Sequence, residues 1–170
     1  MREPGRDAEF SDYVAAQRVG LVRVARLLTT GDDAAAEDLV QTTLTRLYVH
    51  WSQVSRADDP VAYGYRSLTN AFLDEGRRAH RRHEVAGDVG LDAAGVMADP
   101  DTRRVVLDAL RKLAPRQRAV VVLRHFLQYD VAGTAEVLGC AEGTVKSQNA
   151  KALAHLRELL GASLQVEGHL

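Results

Sequence analysis

The sequence predicts an all-α protein: two small helical bundles joined by an acidic flexible linker, the C-terminal bundle carrying a helix-turn-helix. Three observations lead there. Apolar residues recur at three- and four-residue steps rather than in alternation. Between residues 84 and 100 that periodicity lapses into three glycines, a proline and acids. Near the C-terminus, Leu138-Gly139 separates two amphipathic stretches. The expected bounds are 8–84 for the first bundle, 85–101 for the linker and 102–162 for the second bundle.

Each element follows from local signals. A first helix is expected over Phe10–Leu28, with Phe10, Val14, Leu21, Val24 and Leu28 on one stripe. Gly31, Asp32 and Asp33 end it. A second runs over Ala34–Trp51 and buries Ala36, Val40, Leu44 or Leu47, and Trp51. Asp59 then caps a third helix that opens on Pro60, where the missing N–H does no harm. Val61, Tyr65, Leu68 and Phe72 form its inner stripe, and Gly64 is expected to bend its start. After the linker, Asp101 or Thr102 caps a helix reaching Leu113, and Pro115 opens another reaching Leu127. The last pair covers Asp130–Leu138 and Glu142–Leu160. Cores of this size stabilise only a few kcal/mol, roughly, so each bundle is expected to depend on a partner.

Composition narrows the function. The formal net charge over 170 residues is −1, which hides a strong segregation. Residues 77–83 read RRAHRRH, 84–101 carry five acids and no Lys or Arg, and 102–170 hold ten basic against six acidic residues. Cys140 is the single cysteine, so no intramolecular disulfide forms, and the scattered histidines have no metal-ligand spacing. Neither a metal nor a cofactor is expected. No apolar stretch suits export or membrane insertion, so the expected location is cytoplasmic. No nucleophile–base pair or phosphate loop suggests an enzyme.

The segment DVAGTAEVLGCAEGTVKSQNAKALAHLR (130–157) has helix-turn-helix character. Gly139 allows a tight turn. Val145, Ala152 and Leu156 mark the inner stripe of the second helix, and Thr144, Lys146, Ser147, Gln148 and Lys151 lie outside it. Cations suit phosphates, and Gln pairs bidentately with adenine in a major groove. A solvated helix face reads the same way until the turn context is added.

With LRKLAPRQRAVVVLRHF (110–126) before it, TAEVLGCAEGTVKS (134–147) resembles region 4 of the extracytoplasmic-function sigma factors of bacterial RNA polymerase. The resemblance implies that 102–127 packs as a support contacting the polymerase flap. It also implies that Thr144, Lys146, Ser147, Gln148 and Lys151 face the promoter −35 element. Three positions depart from the family. Ala141 stands where Ser or Thr caps the recognition helix, forgoing about 0.5–2 kcal/mol. Gln148 stands where Arg is frequent, and Asn149 occupies the inner stripe.

AEDLVQTTLTRLYVHW (36–51) resembles region 2.2 of the same family, which implies docking on the clamp helices of core RNA polymerase through Asp38, Gln41, Thr42 and Thr45. Acids near a helix start also favour the dipole, which accounts for Glu37 and Asp38 but not the whole string. DDPVAYGYRSLTNAFLDEGRRAHRR (58–82) resembles regions 2.3–2.4. Its aromatics and arginines interleave, a composition that binds a displaced single strand. The resemblance implies −10 contacts from Tyr63, Arg66, Asn70, Arg77, Arg78 and Arg81, and a pocket for one flipped-out base in the preceding loop, Val54–Tyr63. Tyr65 and Phe72 fall at core spacing.

The expected function is therefore that of an alternative sigma factor, with core RNA polymerase and promoter DNA as partners, duplex at −35 and single-stranded at −10. An anti-sigma factor is a further partner the family allows. The acidic linker suits either mimicry of nucleic acid in a basic channel or a plain tether. A helix-turn-helix regulator that does not replace sigma is the alternative function.

Overall fold

The computed structural model describes residues 4–82 and 99–167, with side chains over 5–79 and 99–161. The linker expectation over 85–98 and the Arg81 side chain lie outside the described residues. All regular structure among those described is helical.

The first bundle holds α1 (Pro4–Leu28), α2 (Asp33–Val49), α3 (Trp51–Val54) and α4 (Pro60–Arg82). Helix α1 starts well before Phe10. Its early residues are held by an aromatic cluster, in which Phe10 meets Tyr48 at 5.1 Å and Trp51 at 5.2 Å between ring centroids. Asp32 caps α2 by accepting from the Ala35 N–H at 2.9 Å. Helix α2 buries Leu44 and Leu47 both, and it stops at Val49 rather than running through Trp51. Arg6 donates to the carbonyls of Tyr48 and Val49, satisfying acceptors at that end. Helix α4 begins as expected: Asp59 Oδ1 accepts from the Ala62 N–H at 2.9 Å, one residue beyond Pro60 and Val61. Val61 is exposed, so the inner stripe starts at Tyr65 and runs through Leu68 and Phe72.

Gly64 does not interrupt α4. It makes room for a neighbour. A Cβ there would collide with the Tyr13 hydroxyl, and a Cβ on Gly20 of α1 would collide with the Tyr65 hydroxyl. Two tyrosine–glycine contacts, one in each direction, therefore hold α1 and α4 close.

The second bundle holds α5 (Pro100–Arg111), α6 (Pro115–Val121), a π-helical turn (Val122–Phe126), α7 (Val131–Leu138) and α8 (Glu142–Glu167). Asp99, not Asp101 or Thr102, caps α5, accepting from the Thr102 N–H at 3.0 Å and its hydroxyl at 2.7 Å. Pro100 takes the first helical position. These bonds, the Thr102 hydroxyl first, hold the Asp99 carboxyl below its usual pKa. Gly139 is left-handed, with φ 61°, and the Cys140 N–H reaches back to the Ala135 carbonyl at 3.1 Å.

The two bundles share one core. Leu28, Leu68, Ala71 and Phe72 belong to the same buried cluster as Leu107, Leu110, Val120 and Leu123. Each small bundle thus buries part of its apolar surface against the other. Arg118 of α6 ties the junction. Its guanidinium donates to the carbonyls of Leu28 at 2.7 Å, Leu110 at 2.9 Å and Leu113 at 3.2 Å, and stands 5.8 Å from the Phe72 ring centroid. Burial, with Arg111 as a like charge, brings its pKa down to about 10.

Candidate nucleic-acid interface

Helix-turn-helix geometry is set by the α7–α8 turn. Asp130 caps α7 by accepting from the Gly133 N–H at 2.6 Å, and Arg116 donates to the Leu138 carbonyl at 3.2 Å at the other end. Val145 and Ala152 are buried, which turns that stripe of α8 towards the core. Thr144, Ser147 and Lys151 are exposed and Gln148 is half-buried. These four follow i, i+3, i+4, i+7 spacing and share one face. Lys146 is exposed as well, but on the other flank of the helix. Ala141 supplies no side-chain cap; its carbonyl accepts from the N–H groups of Thr144 and Val145 at 3.0 and 3.2 Å. Asn149, on the inner stripe, lies 3.0 Å from His125 Nε2 through its Oδ1.

On α4, Tyr63, Arg66, Asn70, Arg77 and position 81 are spaced by three, four, seven and four residues, so they form one stripe. Tyr63, Arg66 and Asn70 are half-buried, and Arg77 and Arg78 are exposed. Asp74 stands within the stripe. It accepts from Arg77 at 2.7 Å and lies 3.5 Å from Arg46 of α2. Arg66 reaches α7 and pairs with Glu136 at 2.7 Å. Two arginines of the stripe, Arg66 and Arg77, are thus already engaged by acids.

The loop before α4 borders two hollows. One of about 650 Å³ is lined by Arg6, Glu9, Trp51, Ser52, Ser55 and Arg56. Its Trp51 indole N–H is buried without a hydrogen-bond partner. The other, of about 370 Å³, lies between the start of α4 (Asp59, Ala62, Tyr65) and Leu127–Tyr129. Arg6 and Glu9 gave no local signal, because they come from the far end of α1.

On α2, Asp38, Gln41 and Thr45 are exposed and Thr42 is half-buried, again at i, i+3, i+4, i+7 spacing. Glu37 instead pairs with Arg18 of α1 at 2.7 Å, which separates the two neighbouring acids. Val49, 62% exposed, extends the same stripe by one turn, an exposed apolar residue that the charge pattern did not flag.

Comparison with known proteins agrees with both blocks. The family model for sigma-70 region 2 matches residues 14–82, and that for sigma-70 region 4 matches residues 103–156. The RNA polymerase sigma-E factor of Streptomyces avermitilis is 40% identical over 161 residues, covering 92% of this chain and 87% of that protein. The ECF RNA polymerase sigma factor SigL of Mycobacterium tuberculosis is 35% identical over 138 residues, covering 77% of each. Among solved structures, the sigma factor RpoE of Bartonella quintana, bound to the anti-sigma factor NepR, superposes with a TM-score of 0.73 at 26% identity. It covers 90% of this chain and 97% of its own.

Proposed function

This chain belongs to the extracytoplasmic-function sigma factors of the sigma-70 family, and from that premise we propose how its residues divide the work. It is an alternative sigma factor: it binds core RNA polymerase and directs promoter-specific initiation. Bond formation is left to the polymerase, and we assign the chain no catalytic step. We place its action in the cytoplasm, where the polymerase is; no described helix is long and apolar enough to cross a membrane.

In our assignment, residues 8–84 form the polymerase-binding and −10 unit, 85–101 the linker and 102–162 the −35 unit. Asp38, Gln41, Thr42 and Thr45 meet the clamp helices, with Val49 as their apolar neighbour. Arg66, Asn70, Arg77, Arg78 and Arg81 hold the displaced −10 strand by its phosphates, while Tyr63 offers a base-stacking face. The hollow beside Ser55 and Arg56 takes the flipped base. Thr144, Ser147, Gln148 and Lys151 enter the −35 major groove, and Lys146, on the other flank, meets a backbone phosphate. An anti-sigma partner would act by covering these same faces.

The observation that carries this reading is the presence of both blocks in one chain, in order, each with an exposed stripe left free of the core. The test is transcription with purified core polymerase. A sigma factor supports initiation at discrete sites by itself. A helix-turn-helix regulator needs a resident sigma, so dependence on one would overturn the proposal.

A further inference from the structure

The inner stripe of α8 reads Val145, Asn149, Ala152, Leu156. Val145 is 1% exposed and Ala152 is fully buried. Asn149 is half-buried between them, where an amide is satisfied by water or by a protein partner. Asn149 finds one 24 residues upstream, in His125. Imidazole and amide are each able to donate or accept, so the pair can form a hydrogen bond in either sense.

His125 is brought there by the π-helical turn. The Leu127 N–H bonds to the Val122 carbonyl at 3.0 Å, a step of five residues rather than four. The extra residue widens the helix and re-aims the side chains it contains. Two further bonds brace the turn. The Tyr129 N–H reaches the Leu123 carbonyl at 2.9 Å, and Arg124 donates to the Tyr129 carbonyl at 2.5 Å. The segment that presents His125 is therefore held at both ends.

We propose that His125 and Asn149 are positioning residues that set the rotation of α8 on its support, and so tune −35 base preference without touching DNA. This rests on the reading of α8 as the −35 helix. The reason is geometric. Val145 and Ala152 are apolar and lack directionality, so they bury α8 without fixing its angle closely. A hydrogen bond is directional. Asn149 adjoins Gln148, the candidate base reader, and lies two residues before Lys151. A small rotation about the pin moves both, and base readout by bidentate contacts tolerates little misplacement.

The test uses the full chain with core polymerase on a promoter library randomised at −35, comparing H125A, N149A, the double variant and N149L. The first two are expected to change the preference among −35 sequences by roughly two- to tenfold, the range of one net hydrogen bond. The double variant is expected to match either single one, because the pair acts as a unit. N149L suits the apolar stripe and is expected to keep the fold, so its profile should shift with no loss of melting temperature. H125Q, which retains an N–H donor, should restore part of the original profile. Preferences that superpose on the parent in H125A and N149A would overturn the pin, as would additive effects in the double variant. K151A separates the two readings. If it weakens −35-dependent initiation while the pair variants keep the parent profile, only the pin falls. If it has no effect, the recognition-helix reading falls and takes the pin with it.

Discussion

Arg66 of α4 donates to Glu136 of α7 at 2.7 Å, so a residue on the proposed −10 face is held by the helix-turn-helix. The Glu136 side chain is exposed and that of Arg66 partly so, and exposed pairs contribute about 0.2–1 kcal/mol. Arg66 can therefore exchange Glu136 for a DNA phosphate at small cost.

Replacing Glu136 should release that arginine. E136Q is expected to raise the affinity of the free chain for a single-stranded −10 oligonucleotide by about two- to fivefold, measured by fluorescence anisotropy. R66A should weaken binding in both backgrounds. Unchanged affinity in E136Q would show that the ion pair does not compete with DNA.

The glycines facing tyrosines make a stability prediction of unusual sign. In an open helix interior, Gly to Ala gains about 1 kcal/mol. G64A should instead destabilise by about 1–3 kcal/mol through overpacking against Tyr13. Tyr13 cannot easily retreat. Its hydroxyl donates to the Pro60 carbonyl at 3.2 Å, and its ring lies 5.1 Å from that of Trp51. Urea denaturation should find Y13F/G64A more stable than G64A alone.

Tyr13 also predicts the alkaline limit of the fold. Burial, with Tyr65 and Asp59 adding to it, pushes its phenol from 10.0 up to about 12. Between those values the folded chain holds a proton that the unfolded chain has lost. This contribution is fully present below pH 10 and is lost as pH rises towards 12. Burial shifts Tyr65 and Tyr129 upward as well. Stability followed by denaturant titration should fall with pH across this window, less steeply in Y13F. An increase there would contradict the assignment.

Arg118 should be among the most sensitive positions away from the proposed interfaces. R118A leaves the carbonyls of Leu28, Leu110 and Leu113 without this donor, a loss of about 2–4 kcal/mol. R118K keeps the charge but not the planar fork, and should fall between the two. Calorimetry is the measurement. Because Leu28 belongs to one bundle and Leu110 to the other, R118A is also expected to broaden or split the unfolding transition.

Local signals were legible in the sequence and long-range ones were not. Asp59-Pro60 and Leu138-Gly139 announced a helix start and a turn because capping and left-handed backbone are decided within a few residues. The exposed stripes of α2 and α8 followed from periodicity, since a helix that packs one face must present the other. Local sequence does not single out Asp99 as the α5 cap, because Asp99, Asp101 and Thr102 are all capable caps, and boundaries shift by a residue or two. The shared core, Arg118 with Leu28, and Tyr13 with Gly64 join residues far apart in the chain, and no local pattern marks such pairs. Gly64 read as a weak point of α4 for that reason, and Asn149 as an anomaly until His125 supplied its partner.

Alone with core polymerase, this chain is expected to select promoters. The most direct measurement is sequencing of transcript 5′ ends made by core polymerase and this chain from a randomised promoter library. Defined start sites are expected, preceded by two enriched blocks, at −10 and at −35, with the −35 block altered by Q148A and the −10 block by exchange of the Ser55–Asp59 loop. Start sites no different from those of core polymerase alone would contradict this expectation.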